Sequence, residues 1–135
     1  MLPAIIRKAH EAKRRGDKQI EAWGTGTPRR EFLHADDCAD ALVLLLKNYS
    51  GHEHINVGSG EDLTILELTQ IVCRVVGFEG EIVHDLSKPD GTMRKLMSVD
   101  KLRAMGWAPK IGLEQGIAET YRWFLDNKLG LLETA

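Results

Sequence analysis

The segment at residues 64–76 carries the start and stop signals of an amphipathic helix. Thr64 is followed three positions later by Glu67, which is the spacing of an N-terminal capping box. Apolar residues then recur at the intervals of one helix face, and Gly77 is a suitable C-terminal stop. This is the clearest helix in the sequence.

The rest of the sequence alternates between helical and extended patterns. Further helices are predicted near residues 3–15, 36–49, 98–106 and 113–127. Short strands are predicted at residues 19–23, 30–34, 54–57 and 81–84. Together these patterns predict one mixed α/β domain over residues 1–135.

The helix at residues 36–49 is expected to be capped by Asp36 or Asp37. It is apolar nearly all round, which is typical of a well-buried helix. Cys38 lies in this helix and Cys73 lies in the helix at residues 64–76. Both are expected to be reduced core residues, which favours a cytoplasmic protein.

Composition excludes several classes of protein. Hydrophobic residues make up 43% and charged residues 28%, which is typical of a globular chain. The net charge of -2 argues against a general nucleic-acid binder, which normally carries a basic excess. No apolar run approaches the ~18 residues of a membrane span, and the N-terminus does not resemble a signal peptide. The two cysteines and five histidines lack metal-ligand spacing, so no metal site is predicted.

Two polar segments are candidates for binding an anion. Residues 23–32 place Trp23 before a Gly/Pro turn and two arginines after it. A guanidinium there can bind a diphosphate bidentately. The indole can line the pocket of a sugar or base. A hairpin with solvated arginines is the alternative, and spacing alone favours it.

In residues 88–95, Arg94 or Lys95 is a candidate phosphate ligand and Asp90 can accept a hydrogen bond from a ribose hydroxyl or a base. The alternative is an ordinary charged turn.

Two further motifs are weaker. Residues 58–60 have a Gly-x-Gly pattern, but Leu63 stands where a dinucleotide fingerprint needs its third glycine, so a tight turn is preferred. His34 precedes Asp36 and Asp37, an arrangement that permits acid/base work. Helix capping by the aspartates is the simpler interpretation.

Several segments together resemble the C-terminal part of GDP-L-fucose synthases, members of the extended short-chain dehydrogenase/reductase family. The phrases Trp-Gly-x-Gly-x-Pro-x-Arg-Glu-Phe at residues 23–32 and Lys-Pro-Asp-Gly-Thr at residues 88–92 carry the resemblance. Matches at residues 2–8, 54–58 and 106–107 extend it along the chain. The resemblance implies an α/β substrate-binding part without the N-terminal Rossmann half.

The resemblance also implies a GDP-sugar as ligand. The implied contacts are Lys8, Trp23, Arg30, Asp90 and Lys95. On chemical grounds Arg30 and Lys95 are assigned to the phosphates and Trp23 to the sugar side. Some members have arginine at the position of Lys8. Lysine keeps the positive charge but lacks the bidentate donor geometry of a guanidinium.

The chemistry of the family depends on parts that are not found in this sequence. The family binds NADP(H) through a glycine-rich fingerprint and uses a Tyr-x-x-x-Lys pair and an acid/base cysteine and histidine, none of which maps to these residues. Neither Cys38 nor Cys73 inherits the cysteine's role, and His10 is not the equivalent histidine. No catalytic residue is therefore expected, and NADP(H) is not expected to bind this chain alone.

Three hypotheses about function follow. The chain is the GDP-sugar-binding portion of a GDP-L-fucose synthase, or the equivalent portion of another nucleotide-sugar epimerase or dehydratase. Alternatively it is a non-catalytic binding or assembly module. In the family layout the helix at residues 36–49 and the strand at residues 54–57 pack on the Rossmann sheet, so their apolar faces are candidates for self-association or for a Rossmann-domain partner.

Overall fold

The computed structural model describes the backbone of residues 1–132 and the side chains of residues 1–127. The helices of this part are α1 (Leu2–Arg15), α2 (Ala35–Asn48), α3 (Ile65–Val76), α4 (Asp100–Ala104) and α5 (Leu113–Leu132). The strands are β1 (Gln19–Trp23), β2 (Arg29–Glu31), β3 (Asp62–Thr64), β4 (Glu81–Asp85) and β5 (Arg94–Lys95). The predicted α/β class is confirmed. None of the described helices is long and apolar enough to cross a membrane.

The strands form two small sheets. β1 and β4 pair in parallel, with Trp23 opposite Asp85 at their carboxyl ends. The second sheet has the order β3–β2–β5, in which β2 is antiparallel to β3 and parallel to β5. Because parallel strands end at the same edge of a sheet, the loops that follow β1 and β4 start side by side.

The main core lies where α3 packs between α1 and α5. Leu68 and Val72 of α3 are fully buried there, against Ile6 of α1 and Ile117 of α5. The predicted capping box is confirmed, with the Thr64 hydroxyl accepting from the Glu67 N–H at 3.1 Å and the Glu67 carboxylate accepting from the Thr64 N–H at 2.7 Å. The apolar stripe and the cap therefore fix α3 as the central helix.

The expectations for α2 were partly wrong. Its N-cap is His34, whose Nδ1 accepts from the Asp36 N–H at 3.2 Å, rather than Asp36 or Asp37. Only one side of α2 is covered, where Ala41 packs on Leu102 and Trp107 in a second, smaller cluster. Cys38 is accordingly half-buried, whereas Cys73 is buried as expected.

The predicted strands also differ from the observed ones. Residues 54–57 form no strand within the part that the structure describes, although their pattern predicts one. A strand needs a hydrogen-bonded partner, and no described segment supplies it here. β2 is shorter than the predicted strand at residues 30–34, and β3 and β5 were not predicted, since two- and three-residue strands are too short to show periodicity. The helix predicted to end near residue 127 continues to Leu132.

Candidate functional site

The exposed tryptophan at the carboxyl end of β1 is the centre of a cationic surface. Trp23 is 64% exposed. The ammonium groups of Lys8 from α1 and Lys88 from the loop after β4 lie 5.9 Å and 5.6 Å from the indole centroid. Both distances are within the range of cation–π attraction. Lys8 also donates to the Glu21 carbonyl oxygen at 2.6 Å, and the indole N–H donates to the Glu21 carboxylate at 3.0 Å.

Asp90 fastens the turn after Trp23 to the loop after β4. One of its carboxylate oxygens accepts from the Thr25 N–H at 2.7 Å and the other from the Thr25 hydroxyl at 2.9 Å. The carboxylate approaches Gly24 so closely that a Cβ there would lie 2.2 Å from Oδ1. Gly24 also has φ +72, so the site needs glycine for both reasons. Asp90 is thus already engaged within the chain, and a ligand hydroxyl would be an additional bond.

Arg30 and Lys95 stand side by side on adjacent strands. They are register partners in the parallel pairing of β2 with β5. Arg30 is half-buried and donates from Nη1 to the Arg29 carbonyl oxygen at 2.7 Å. Its Nη2 lies 4.0 Å from where a Cβ on Gly91 would stand, so the guanidinium faces the same loop that carries Asp90. Within the part that the structure describes, neither cation forms an ion pair.

The neighbouring pair of cations is neutralised instead. Arg29 and Arg94 are also register partners, and their Nε atoms donate to the two carboxylate oxygens of Asp62 at 2.9 Å and 2.5 Å. The hydrogen bonds from Arg94 and Arg29 hold the pKa of Asp62 below its usual value. Residue chemistry alone left Arg94 and Lys95 as alternatives, and only the resemblance selected Lys95, because the distinction depends on which face of the sheet each side chain occupies.

Two residues that support the site were missed by sequence reasoning. The Glu31 carboxylate accepts from the Gly60 N–H at 2.6 Å and from the Met97 N–H at 3.3 Å, so it ties residues 58–60 to the segment after β5. His84 Nδ1 lies 2.9 Å from the Gly24 carbonyl oxygen and supports the turn from below. The only sequence signal for a role of Glu31 was its place in the charged strand pattern. No sequence signal pointed to a role of His84.

The arrangement does not provide a dinucleotide cradle. Residues 58–60 lead into β3, and the first N–H groups of α3 are bonded by the Thr64–Glu67 box. Gly24 and Gly26 follow a strand but lead into β2 rather than a helix. The residues present therefore do not fit the pyrophosphate of NADP(H), which needs a glycine-rich strand–turn–helix unit.

The described residues do not assemble an acid/base pair, an activated nucleophile or a metal site from the other candidates. His34 serves as the α2 cap, and Asp37 accepts backbone N–H groups from Lys110 and Ile111. Burial raises the pKa of the Cys73 thiol, so it is not an activated nucleophile. Among the described side chains of residues 1–127, no group of three or more His, Cys, Asp or Glu is placed to hold a metal ion.

A cleft of about 540 Å³ lies beside the second sheet, between Phe32, Leu63, Arg103 and residues 108–113. It contains none of the five predicted contact residues. Its lining groups include Asp62, which is already bonded to arginines, and Lys110, whose ammonium binds Asp40. The surface around Trp23 and Arg30 therefore remains the candidate site.

Comparison with known proteins relates this chain to a family. Residues 1–58 match the NAD dependent epimerase/dehydratase family. A GDP-L-fucose synthase from Sinorhizobium fredii is 58% identical over 127 residues, which cover 94% of this chain and 40% of that protein.

Solved structures agree with the sequence matches. A GDP-L-fucose synthetase from Naegleria fowleri with NADP bound has a TM-score of 0.86 at 33% identity, over 93% of this chain and 40% of that one. A GDP-mannoheptose C4 reductase from Campylobacter jejuni with NADP bound has a TM-score of 0.81 at 39% identity, over 92% of this chain and 44% of that one.

The chain thus belongs to the NAD dependent epimerase/dehydratase class of extended short-chain dehydrogenases/reductases. Within that class it is part of a protein of the GDP-L-fucose synthase family. The chain spans about two fifths of the length of the curated relatives it matches.

Proposed function

We propose that this chain is the GDP-sugar-binding portion of a GDP-L-fucose synthase. Such an enzyme converts GDP-4-keto-6-deoxy-D-mannose to GDP-L-fucose by 3,5-epimerisation and NADPH-dependent 4-reduction. The printed names of three similar proteins, a GDP-L-fucose synthase, a GDP-L-fucose synthetase and a GDP-mannoheptose C4 reductase, support this substrate class. The two free cysteines suit a reducing compartment, and we assign the protein to the cytoplasm.

The proposal depends chiefly on the pair Arg30 and Lys95. Like charges directly opposite each other on neighbouring strands destabilise a sheet unless a counter-charge is present. Asp62 supplies that counter-charge to Arg29 and Arg94, and no described carboxylate supplies it to Arg30 and Lys95. A diphosphate carries the required charge and matches the donors of a guanidinium and an ammonium.

The other predicted contacts support binding of the rest of the ligand. Trp23 offers an apolar surface beside the phosphates, and Lys8 and Lys88 give its rim a positive charge. Asp90 holds the Gly24–Thr25 turn in place and has lone pairs left for a ribose hydroxyl or a base. The chain's own residues therefore bind and orient the nucleotide-sugar.

The reaction itself requires groups from outside these residues. When bound to a complete enzyme, NADPH supplies the hydride that reduces C4. Here Arg30, Lys95 and Trp23 hold the sugar nucleotide at a fixed place, which lowers the entropic cost of reaction. Binding without a hydride donor or an acid/base pair gives no turnover, so the pure chain is expected to oxidise no NADPH. Measurable NADPH oxidation would contradict this division of labour.

A second candidate function is assembly, and the apolar side of α2 favours it. Leu46 is 85% exposed and Leu42 is 55% exposed. Exposed apolar patches mark interaction surfaces. Under this hypothesis the chain self-associates or binds a Rossmann-domain partner and has no affinity for nucleotides by itself.

The deciding experiment is an amide NMR titration of the 135-residue chain with GDP, with UDP as control. Saturable shifts with GDP, strongest around Arg30 and Lys95, are expected. Equal or stronger shifts with UDP would favour the homologous portion of a UDP-sugar epimerase. A well-dispersed spectrum that neither nucleotide changes would contradict nucleotide binding and favour assembly.

A further inference from the structure

Asp62 is a buried carboxylate at the junction of three strands. Its side chain is 5% exposed, although it lies in a sheet of very short strands. It accepts from Arg29 of β2 at 2.9 Å and from Arg94 of β5 at 2.5 Å, and its carbonyl oxygen accepts from Arg29 Nη2 at 2.8 Å. A single carboxylate thus bonds to both strands that carry the diphosphate candidates.

The alternation of side chains along a strand gives this bond a consequence on the other face. Arg29 and Arg94 project toward Asp62, so Arg30 and Lys95, which follow them by one position, project from the opposite face. The register that sets Arg29 beside Arg94 also sets Arg30 beside Lys95. Holding the first pair therefore fixes the spacing of the second.

The strand β5 needs such a clamp. It has only two residues, and it is joined to β2 with support from the Arg29 N–H bond to the Met93 carbonyl oxygen at 2.7 Å. Without a carboxylate between them, two guanidinium groups at opposed positions repel each other. The repulsion would act directly across the β2–β5 pairing and drive the two strands apart.

We propose that Asp62 is a positioning residue for diphosphate binding: by clamping Arg29 to Arg94 across β2 and β5, it sets Arg30 and Lys95 at the separation that a nucleoside diphosphate requires. This inference rests on the proposed function, since it assumes that Arg30 and Lys95 bind the diphosphate. Asp62 itself touches no ligand, because it lies on the opposite face of the sheet.

The test compares the affinities of folded variants for GDP and for inorganic pyrophosphate, by titration calorimetry or NMR. Asp62→Asn removes the charge and keeps the shape, and it is expected to weaken both ligands by the same factor, about tenfold. Asp62→Glu keeps the charge and is expected to recover part of the loss. Val76→Ala, a buried position at the end of α3 that is opposite β3, is the control for lowered stability alone and should leave both affinities unchanged.

Equal losses for GDP and pyrophosphate in Asp62→Asn, with recovery in Asp62→Glu, would support the clamp. Wild-type affinity in a folded Asp62→Asn chain would overturn the proposal. A much larger loss of affinity for GDP than for pyrophosphate would also overturn it, because that result indicates general loosening of the site. If Asp62→Asn does not fold, Arg94→Gln is the deciding variant, because the Arg94 side chain is 62% exposed and its loss removes only one of the two arginines bonded to Asp62. About threefold weaker binding is then expected, and no change would overturn the proposal. Absence of binding in the wild type would instead refute the proposed function.

Discussion

Gly24 is constrained by its backbone and by its neighbour at the same time. Its φ of +72 is in the left-handed region, and a Cβ would meet Asp90 Oδ1 at 2.2 Å. Gly16 has nearly the same φ, +70, and no atom within 4 Å of its Cβ position. The two positions therefore separate backbone strain from displacement of Asp90.

Gly16→Ala should lower the free energy of unfolding by about 1 kcal/mol, the cost of the left-handed backbone alone. Gly24→Ala should cost about 1–3 kcal/mol more, because Asp90 must move and lose its bonds to Thr25. Urea denaturation of the two variants measures the difference. Equal losses would show that Asp90 moves aside without cost.

His10 gives the fold a dependence on pH. It is 6% exposed, its Nδ1 lies 2.9 Å from the Tyr121 hydroxyl, and its Nε2 is buried without a hydrogen-bond partner among the described residues. Burial, with the nearby charge of Arg14, lowers its pKa below the ordinary value of 6.5, while Glu11 opposes the shift. The unfolded chain therefore binds a proton more readily than the folded one.

Stability should consequently be full above the ordinary pKa of 6.5 and should fall as the pH drops below it. His10→Asn removes the titrating group, so its free energy of unfolding should change less between pH about 7.5 and about 5.5 than that of the wild type. Denaturant unfolding at both pH values gives this double difference, in which every other titrating group is common to both proteins. An unchanged pH dependence in His10→Asn would contradict the assignment.

At this scale the sequence predicted residue types better than partners. Arg30 and Lys95 were selected for the phosphates, and the structure brings them side by side. Their neighbours Arg29 and Arg94 have the same chemistry, and only the register with Asp62 distinguishes the two pairs. Asp62 lies more than thirty positions from either arginine, so no local pattern reveals the contact.

At the scale of elements, α2 is joined to the rest of the fold by a buried carboxylate. Asp37 is 3% exposed and accepts from the Lys110 N–H at 3.1 Å and the Ile111 N–H at 2.9 Å. These bonds hold the loop between α4 and α5 against the first turn of α2. Asp36, the preceding residue in the same turn, has a side chain that is 84% exposed.

The pair offers a matched comparison, since either Asp→Asn change removes one negative charge from the same helix start. Asp36→Asn should cost ~0.3–1 kcal/mol, the range for a charge near the helix dipole. Asp37→Asn should cost about 1–3 kcal/mol, because an amide cannot accept all of the backbone bonds. Thermal unfolding of the two variants tests the ranking, and a similar loss in both would show that the loop is held by other contacts.

Elements with local signals were predictable, and elements defined by a distant partner were not. The cap and apolar stripe of α3 lie within one segment, so its boundaries followed from the sequence. β3 and β5 exist because β2 pairs with both, and neither is long enough to show alternation. Residues 54–57 have the composition of a strand but no described partner, so they remain irregular. The sequence pattern predicted a strand at these residues, but whether a strand forms depends on pairing with a neighbouring strand.

At the scale of the whole molecule, the covering of α2 is one-sided. Leu44 and Leu45 pack against the small cluster around Trp107, while Leu42 and Leu46, four positions apart, share a side that is largely exposed. The sequence predicted the apolar character of this helix, and only the family resemblance implied what covers it, a Rossmann sheet. The extra length of the curated relatives allows a further layer, which these residues do not contain.

The exposed side of α2 should cause the 135-residue chain to associate in a concentration-dependent manner, because apolar area leaves water when two patches meet. The double variant Leu42→Gln with Leu46→Gln should shift the chain toward monomer in sedimentation velocity over a dilution series. Its free energy of unfolding should stay within about 0.5 kcal/mol of the wild type, since exposed side chains contribute little to stability. Leu86→Gln is the matched control, because Leu86 is 71% exposed in the loop after β4, away from α2. A wild type that stays monomeric at all concentrations, or equal effects of the two changes, would show that α2 is not the associating surface.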